Sequence, residues 1–216
     1  MRENTAARLR DIHNCLVTPP EMEFTENGYP VIQPTYEVPE QMEFTAFHHI
    51  TKKKPKHRAW VHFWMYDWLF ERIWSRPEET MKFLKPHPGV VSPDFSMFMD
   101  IPVLVSKWNK YRNQWLGAYW QINGITVIPN IGWMGEDSYE WCFEGLPEKA
   151  VVAISTLGCL QNKETREYFM KGYQAAIDAL QPKLVLLYTS TKKQMELFEG
   201  ETPVRQIPMY RAVRRE

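Results

Sequence analysis

Cysteine is scarce in this chain and unpatterned. Cys15, Cys142 and Cys159 are its three cysteines; they lie far apart and never fall in a C-x-x-C spacing, so neither a disulfide framework nor a cysteine-based structural zinc site is expected. A reducing, cytoplasmic compartment follows from that usage. No run approaches the roughly 18 apolar residues that a membrane span needs, and the N-terminal MRENTAARLRDIHNC has no apolar signal core, so no membrane partner is expected. An excess of one charge is missing too. Lys plus Arg and Asp plus Glu balance at 26 each, which leaves no chain-wide field for nucleic acid or an anionic membrane. No Pro/Gly/Ser-rich linker interrupts the middle of the 216 residues, and one core is the expectation. A domain of that size buries about 70% of its unfolded surface and needs no covalent staple.

What the chain has in excess is rings: nine Trp, ten Tyr and eleven Phe. Large amphipathic rings serve cores, pockets and interfaces alike, so their number does not choose among these. Residues 1–57 show no sustained period, and Pro19, Pro20, Pro30, Pro34, Pro39 and Pro55 keep interrupting it; this stretch reads as an irregular N-terminal arm or cap with a short N-terminal helix. From residue 58 to 216 short apolar runs alternate with segments of helical period, which reads as an α/β domain. The fold class expected is α/β, with repeated βα units in a mainly parallel sheet or partial (TIM-like) barrel.

Strands are expected near Trp60–Trp64, Gly89–Ser92, Ile125–Ile128, Ala150–Ile154 and Leu184–Leu187, with Val204–Ile207 as a sixth. Right-handed crossovers make these parallel and place them in one sheet or partial barrel. Ser75 with Glu78 suggests a capping box ahead of Pro77. Asp100 is expected to cap a long helix whose buried stripe is Leu104, Trp108, Trp115, Tyr119 and Ile122, with Gly124 as its stop. Asn162 caps the next helix, buried through Phe169, Tyr173, Ala176 and Leu180, and Thr191 with Gln194 caps the last.

Two stretches carry a family resemblance. Phe70-Glu71-Arg72-Ile73-Trp74 through Ser92-Pro93-Asp94-Phe95-Ser96, and Trp108-Asn109-Lys110-Tyr111-Arg112 through Val127-Ile128-Pro129-Asn130, with Gly158 and the Phe169–Tyr188 segment, resemble the bacterial and phage family catalogued as domain of unknown function 4417. The resemblance covers residues 58–190 and implies a phage or mobile-element origin, and so a bacterial host cell, without implying an activity. The family pattern has an arginine between Asn130 and Trp133 and a glycine after Tyr188. This chain has Gly132 and Thr189 there, which removes any role resting on that arginine or on a tight turn after the fifth strand.

In parallel α/β folds ligands bind beyond the carboxyl ends of the strands, where loops and helix N-termini converge. That rule puts Asp67, Asp94, Asn130, Trp133, Thr156 and Tyr188 on one rim. Asp67 and Asp94 are the candidate catalytic pair, acid and base or ligands of Mg²⁺; the competing reading of Asp94 is a local turn or cap. Asn109 and Arg112 share a helix face, where Arg112 would bind a phosphate or carboxylate, or else form a structural ion pair. Ser155–Gly158 and Thr189–Lys192 each end a strand and open a helix, a weak signal for an anion. His48, His49, His57 and His62 fit no metal spacing. The basic run Lys52–Arg58 reads first as a solvated loop and second as a nucleic-acid contact. Cys159 has no histidine placed to activate it.

The expected function is binding of a phosphate-bearing small molecule or nucleotide on this rim, with or without a reaction. One alternative is a non-enzymatic binder of a host protein or host signalling nucleotide, with the rings as its interface. The other is a metal-dependent nucleic-acid processing factor that uses the lysine run and the two aspartates.

Overall fold

A computed structural model describes residues 11–51 and 58–209. Strands β1 (Glu43–Ala46), β2 (Ala59–His62), β3 (Val90–Val91) and β4 (Val127–Ile128) form one sheet, and β5 (Asn130–Ile131), β6 (Val151–Ser155), β7 (Leu184–Thr189) and β8 (Val204–Pro208) a second. Every pairing is parallel and each sheet follows chain order. Parallel neighbours in chain order are what repeated right-handed βα crossovers produce.

The expected single ladder is corrected to two, and the break falls at Pro129. The Ile128 carbonyl accepts the Ser92 N–H at 2.8 Å and the Pro129 carbonyl accepts the Ala153 N–H at 2.8 Å, so one continuous stretch of chain serves β3 on one side and β6 on the other. Proline has no N–H to return to the ladder. The next N–H, that of Asn130, is spent on Ser92 Oγ at 2.7 Å instead of on backbone. The sheets nonetheless enclose one apolar interior. Trp60 and Trp64 around β2, Val91, Ile128, Val151 and Ala153 of β6, Leu186 and Tyr188 of β7, and Ile207 of β8 form a single cluster. The arrangement is a partial barrel. Among the described residues no ladder closes β8 onto β1, although Arg205 reaches the Pro39 carbonyl at 2.7 Å.

Helices cover the outside: α1 (Phe47–Ile50), α2 (Arg72–Ser75), α3 (Pro77–Leu84), α4 (Val103–Ile122), α5 (Tyr139–Cys142), α6 (Lys163–Leu180) and α7 (Lys192–Met195). Helix α4 packs Trp115, Leu116 and Trp120 with Phe63, Phe70 and Val127 in one outer cluster; α6 packs Phe169, Tyr173 and Ala176 with Val152, Val185 and Leu187 in another. No helix among the described residues is long and apolar enough to cross a membrane.

The arm is more ordered than its prolines suggest. Glu43–Ala46 pairs with Ala59–His62 as the edge strand, and Met22, Tyr29 and Ile32 are buried. Lys110 helps to hold the arm: its ammonium lies 4.3 Å from the centre of the Tyr29 ring and donates to Gln114 Oε1 and, at 2.7 Å, to the Glu144 carbonyl. Burial lowers its pKa to about 7.

Two helix starts differ from expectation. Ser75 closes α2 rather than capping the next helix, and α3 begins at Pro77 with no side-chain cap. Helix α4 starts at Val103 after Pro102, again without a side-chain cap, and Asp100 stands exposed in the preceding turn. Leu104 is 75% exposed and Ile122 40%, so the buried stripe is shifted: Ser106, Asn109, Lys110, Arg112 and Asn113 face inward instead. Asn162 does cap α6 with a reciprocal capping box, Thr191 caps α7, and Gly124 takes a φ of 81° where α4 stops. Asn162→Ala is therefore expected to cost about 1 kcal/mol, while Asp100→Ala stays within about 0.5 kcal/mol of wild type. Urea unfolding of the two variants side by side checks both values.

Candidate binding pocket at the strand carboxyl ends

Asn130 opens β5 at the centre of the rim. The Trp64 indole N–H donates to its Oδ1 at 2.9 Å, which fixes the amide so that Nδ2 donates to Asp94 Oδ1 at 2.7 Å. Asp94 is half-buried. Packing around its carboxyl raises its pKa to about 6, the nearby Asp67 charge adds to the rise, and the Asn130 hydrogen bond opposes it.

Asp94 borders a cavity of about 390 Å³. Its walls come from the loop after β3 (Asp94–Met99), from Ile131–Met134 after β5, from the loop after β6 with Leu157, Gly158 and Cys159, and from Thr165, Tyr168 and Phe169 of α6. Trp133 lies against α6 where residue 172 is glycine; a Cβ there would collide with the indole. Its ring meets Phe169 at 4.9 Å. Among the pocket-lining residues there is no Lys, Arg or His.

The other rim candidates fall into two groups beside this cavity. Asp67 spends both oxygens on Ser96, accepting its N–H at 3.0 Å and its hydroxyl at 2.9 Å, and so ties the loop after β2 to the loop after β3. Ser96 also receives Asn109, whose Nδ2 donates to the Ser96 carbonyl at 2.6 Å. Arg112 donates to Asn109 Oδ1 at 2.6 Å, pairs with Glu71 at 2.6 Å, and lays its guanidinium 3.7 Å from the Phe95 ring centre. Asn109 and Arg112 thus stand one layer outward, bracing the Asp94-Phe95-Ser96 segment, and neither lines the cavity. Thr156 gives both its N–H and its hydroxyl to the Tyr188 carbonyl, at 3.0 and 3.1 Å. Tyr188 lies in the interior cluster, stacked 4.5 Å from Trp64 and tilted against His62 at 5.2 Å. Of the residues expected on the rim, Asp94 and Trp133 line one pocket and Asn130 orients Asp94 from behind.

Chain patterning missed several wall residues. Met97, Phe98 and Met99 follow the S-P-D-F-S word with no period to mark them, and Phe169 was legible only as core. Cys159 was set aside as a nucleophile; it reaches the pocket, but burial, with the Asp94 charge, pushes its thiol up to about 11. Burial likewise lowers the pKa of His62 to about 3, with His49 and His48 adding to it. His57 and the Lys52–Lys56 run lie outside the described residues. Among the described residues no group of three or more His, Cys, Asp or Glu could hold a metal ion, and the Asp67 oxygens are already engaged.

Taken together these features define a parallel α/β partial barrel with a largely apolar pocket at its strand carboxyl ends. The chain belongs to the family described as domain of unknown function (DUF4417), whose model matches residues 22–206 and so takes in much of the arm. It is 36% identical over 186 residues to the "Gene 1 protein" of Mycobacterium phage L5, covering 81% of this chain and 80% of that protein. It is 39% identical over 141 residues to the "Gene 1 protein" of Mycobacterium phage D29, covering 62% of this chain and 52% of that one, so the match spans about half the length of the D29 protein. No solved structure matches the chain.

Gly172→Ala reverses the usual helix rule. Alanine in a helix interior ordinarily gains up to about 1 kcal/mol over glycine, but here it must displace Trp133. A lower melting temperature and a shifted tryptophan emission are expected; a higher melting temperature would mean the indole does not pack there. The Asp94 carboxyl makes a second prediction. Its folded pKa of about 6 lies above the ordinary 3.8, so the folded state holds the proton more tightly. Its contribution is most favourable below the ordinary value, declines as pH rises through that window, and stays at its least favourable above it. His62 works oppositely, losing stability as pH falls from its ordinary 6.5 to about 3, a range that overlaps that of Asp94. The difference between wild type and Asp94→Asn isolates the Asp94 part. Asp94→Asn should be more stable than wild type at pH 7.5, with the advantage shrinking toward pH 4 in urea titrations.

Proposed function

We propose that this phage-family protein binds a small planar molecule, of which a nucleotide's base is the model, in the Asp94–Trp133 pocket. The observation that carries this is the cavity itself: about 390 Å³ walled by Trp133, Phe169, Tyr168 and three methionines, Met97, Met99 and Met134, with Asp94 as its one carboxylate. Pockets of a few hundred Å³ that are apolar apart from one or two fixed polar groups are the usual form of a small-molecule site. Methionine and aromatic walls suit a flat ring. The polar group is also held in place, since Trp64 and Asn130 lock Asp94 Oδ1.

This reading alters the expectation of phosphate recognition. With no lining cation and Arg112 already paired with Glu71, the ring half of a nucleotide belongs in the pocket and a phosphate would extend outward from it. Binding is the claim; a reaction is not required by any group here.

One observation favours a second reading, a binder of a host protein. Tyr66 is 75% exposed, Trp68 74%, Phe98 55%, Met99 60% and Leu104 75%. The first two lie on the loop after β2 and the next two on the loop after β3, and the Asp67–Ser96 hydrogen bonds tie those loops together. Exposed rings gathered on joined loops mark interaction surfaces.

Thermal shift against a panel of nucleosides, nucleotides and flat heterocycles, together with mass spectrometry of whatever is released on denaturing the purified protein, tests the first reading. At a ligand concentration of 100 times Kd, stabilisation of about 2.7 kcal/mol is expected, lost in Trp133→Ala. If no compound in the panel stabilises the wild-type chain and nothing is released, the small-molecule reading is withdrawn in favour of the protein-binding one.

A further inference from the structure

The hydrogen-bonding capacity of Asp94 narrows the ligand class, on the footing of the small-molecule reading above. The Trp64 indole N–H can only donate, so the oxygen of the Asn130 amide must face it and the Asn130 nitrogen must face Asp94 Oδ1. Asp94 Oδ2 receives no hydrogen bond from the described residues, and the residue borders the cavity. The pocket therefore presents acceptors at this end. The titratable groups facing the carboxyl are Asp67 from the loop after β2 and Cys159 from the loop after β6. Neither neutralises a carboxylate, and no cation lines the walls.

A half-buried carboxylate in a pocket wall, without a counter-charge, disfavours any anion beside it and favours a partner that brings N–H donors or positive charge. Two donors on adjacent atoms of a flat group match the two oxygens of a carboxylate best, as guanidinium does. The largely apolar, aromatic walls favour a flat, uncharged ring inside the pocket, with any phosphate left outside it.

We propose that the pocket recognises a planar heterocycle through a paired N–H edge, the amidine-like edge found in guanine and in benzamidine, laid against Asp94 with its ring between Trp133 and the methionine-bearing loop. Phosphate and carboxylate groups are excluded from the Asp94 end. Recognition needs Asp94 ionised, so affinity follows its titration. With a pKa of about 6 in the free protein, protonation at pH 5 should lower the apparent affinity roughly tenfold relative to pH 8. Cys159, at about 11, stays a thiol throughout that range.

Calorimetric titration with guanosine, with inosine as its match lacking the 2-amino donor, and with benzamidine tests this, since none of these changes charge between pH 5 and pH 8. Guanosine binding at least tenfold tighter than inosine, benzamidine binding measurably, and both weakening about tenfold at pH 5 and further in Asp94→Asn support the assignment. Equal binding of guanosine and inosine, or binding indifferent to pH and to Asp94→Asn, overturns the paired-donor edge while leaving a small-molecule pocket intact. Absence of binding by all three overturns it as well; the small-molecule reading then falls only if the wider panel also fails. Should Asp94→Asn not fold, the pH series on the wild-type protein decides alone.

Discussion

The Asn130 amide is the joint on which the rim depends. Its backbone N–H goes to Ser92 Oγ at the end of β3, its Oδ1 takes the indole N–H of Trp64 beyond β2, and its Nδ2 holds Asp94. The loops after β2 and β3 are thereby tied to one residue at the start of β5. The arrangement follows from the residue before it: Pro129 cannot continue the ladder, the sheet divides there, and the backbone donor that follows is free to bond a side chain. Because Trp64 is buried, losing its acceptor would leave an orphaned indole N–H, a cost of about 1–3 kcal/mol. The same joint that closes the gap between sheets also aims Asp94.

Around this joint the protein invests polar groups where an ordinary helix would bury aliphatic ones. Asn109 and Asn113 of α4 both bind the Asp94–Ser96 segment, Asn113 Oδ1 taking the Phe95 N–H at 2.8 Å and its Nδ2 reaching the Phe95 carbonyl at 3.2 Å. Arg112 lays its guanidinium on the Phe95 ring while its Nη1 donates to Glu71. A loop whose backbone groups are bound on both sides of a buried ring is fixed to the helix behind it, so the pocket wall it supplies is preorganised. The far wall is set differently, by Trp133 lying in the groove that Gly172 leaves on α6.

Much of the frame was legible from local chemistry. The glycine that ends α4, the Asn162 capping box and the Phe169–Leu180 stripe depend on a few neighbouring residues, and each appears as expected. What was not legible depends on contacts distant in sequence. Glu43–Ala46 is too short and too proline-flanked to stand out, and it becomes a strand only because β2 offers an edge. Leu104 reads as core by spacing, yet the helix turns its polar residues inward because Asn109, Arg112 and Asn113 find partners in another loop. Arg112 reads from sequence as an anion binder or as half of a structural ion pair with Asp94 or Asp100; the carboxylate that claims it is Glu71, 41 positions away. For the site, the strand-end rule drew attention to Asp94 and Trp133, which border one cavity, and to Asn130, which bonds Asp94, while the methionines that wall the cavity carry no local signature at all.

Asp94 remains the residue that folding alone does not explain. Asn109, Asn113 and Asn130 tie loops to the helix or strand behind them, and Asp67 shows what a structural carboxylate looks like here, with both oxygens answered by Ser96. Among the described residues Asp94 has only Asn130 as a hydrogen-bond partner, which an asparagine's carbonyl would serve as well without ionising. A carboxyl kept where burial and a neighbouring charge penalise its ionised form works against stability. Such a local conflict, beside a walled cavity and held by a locked amide, is what the proposed binding role would account for.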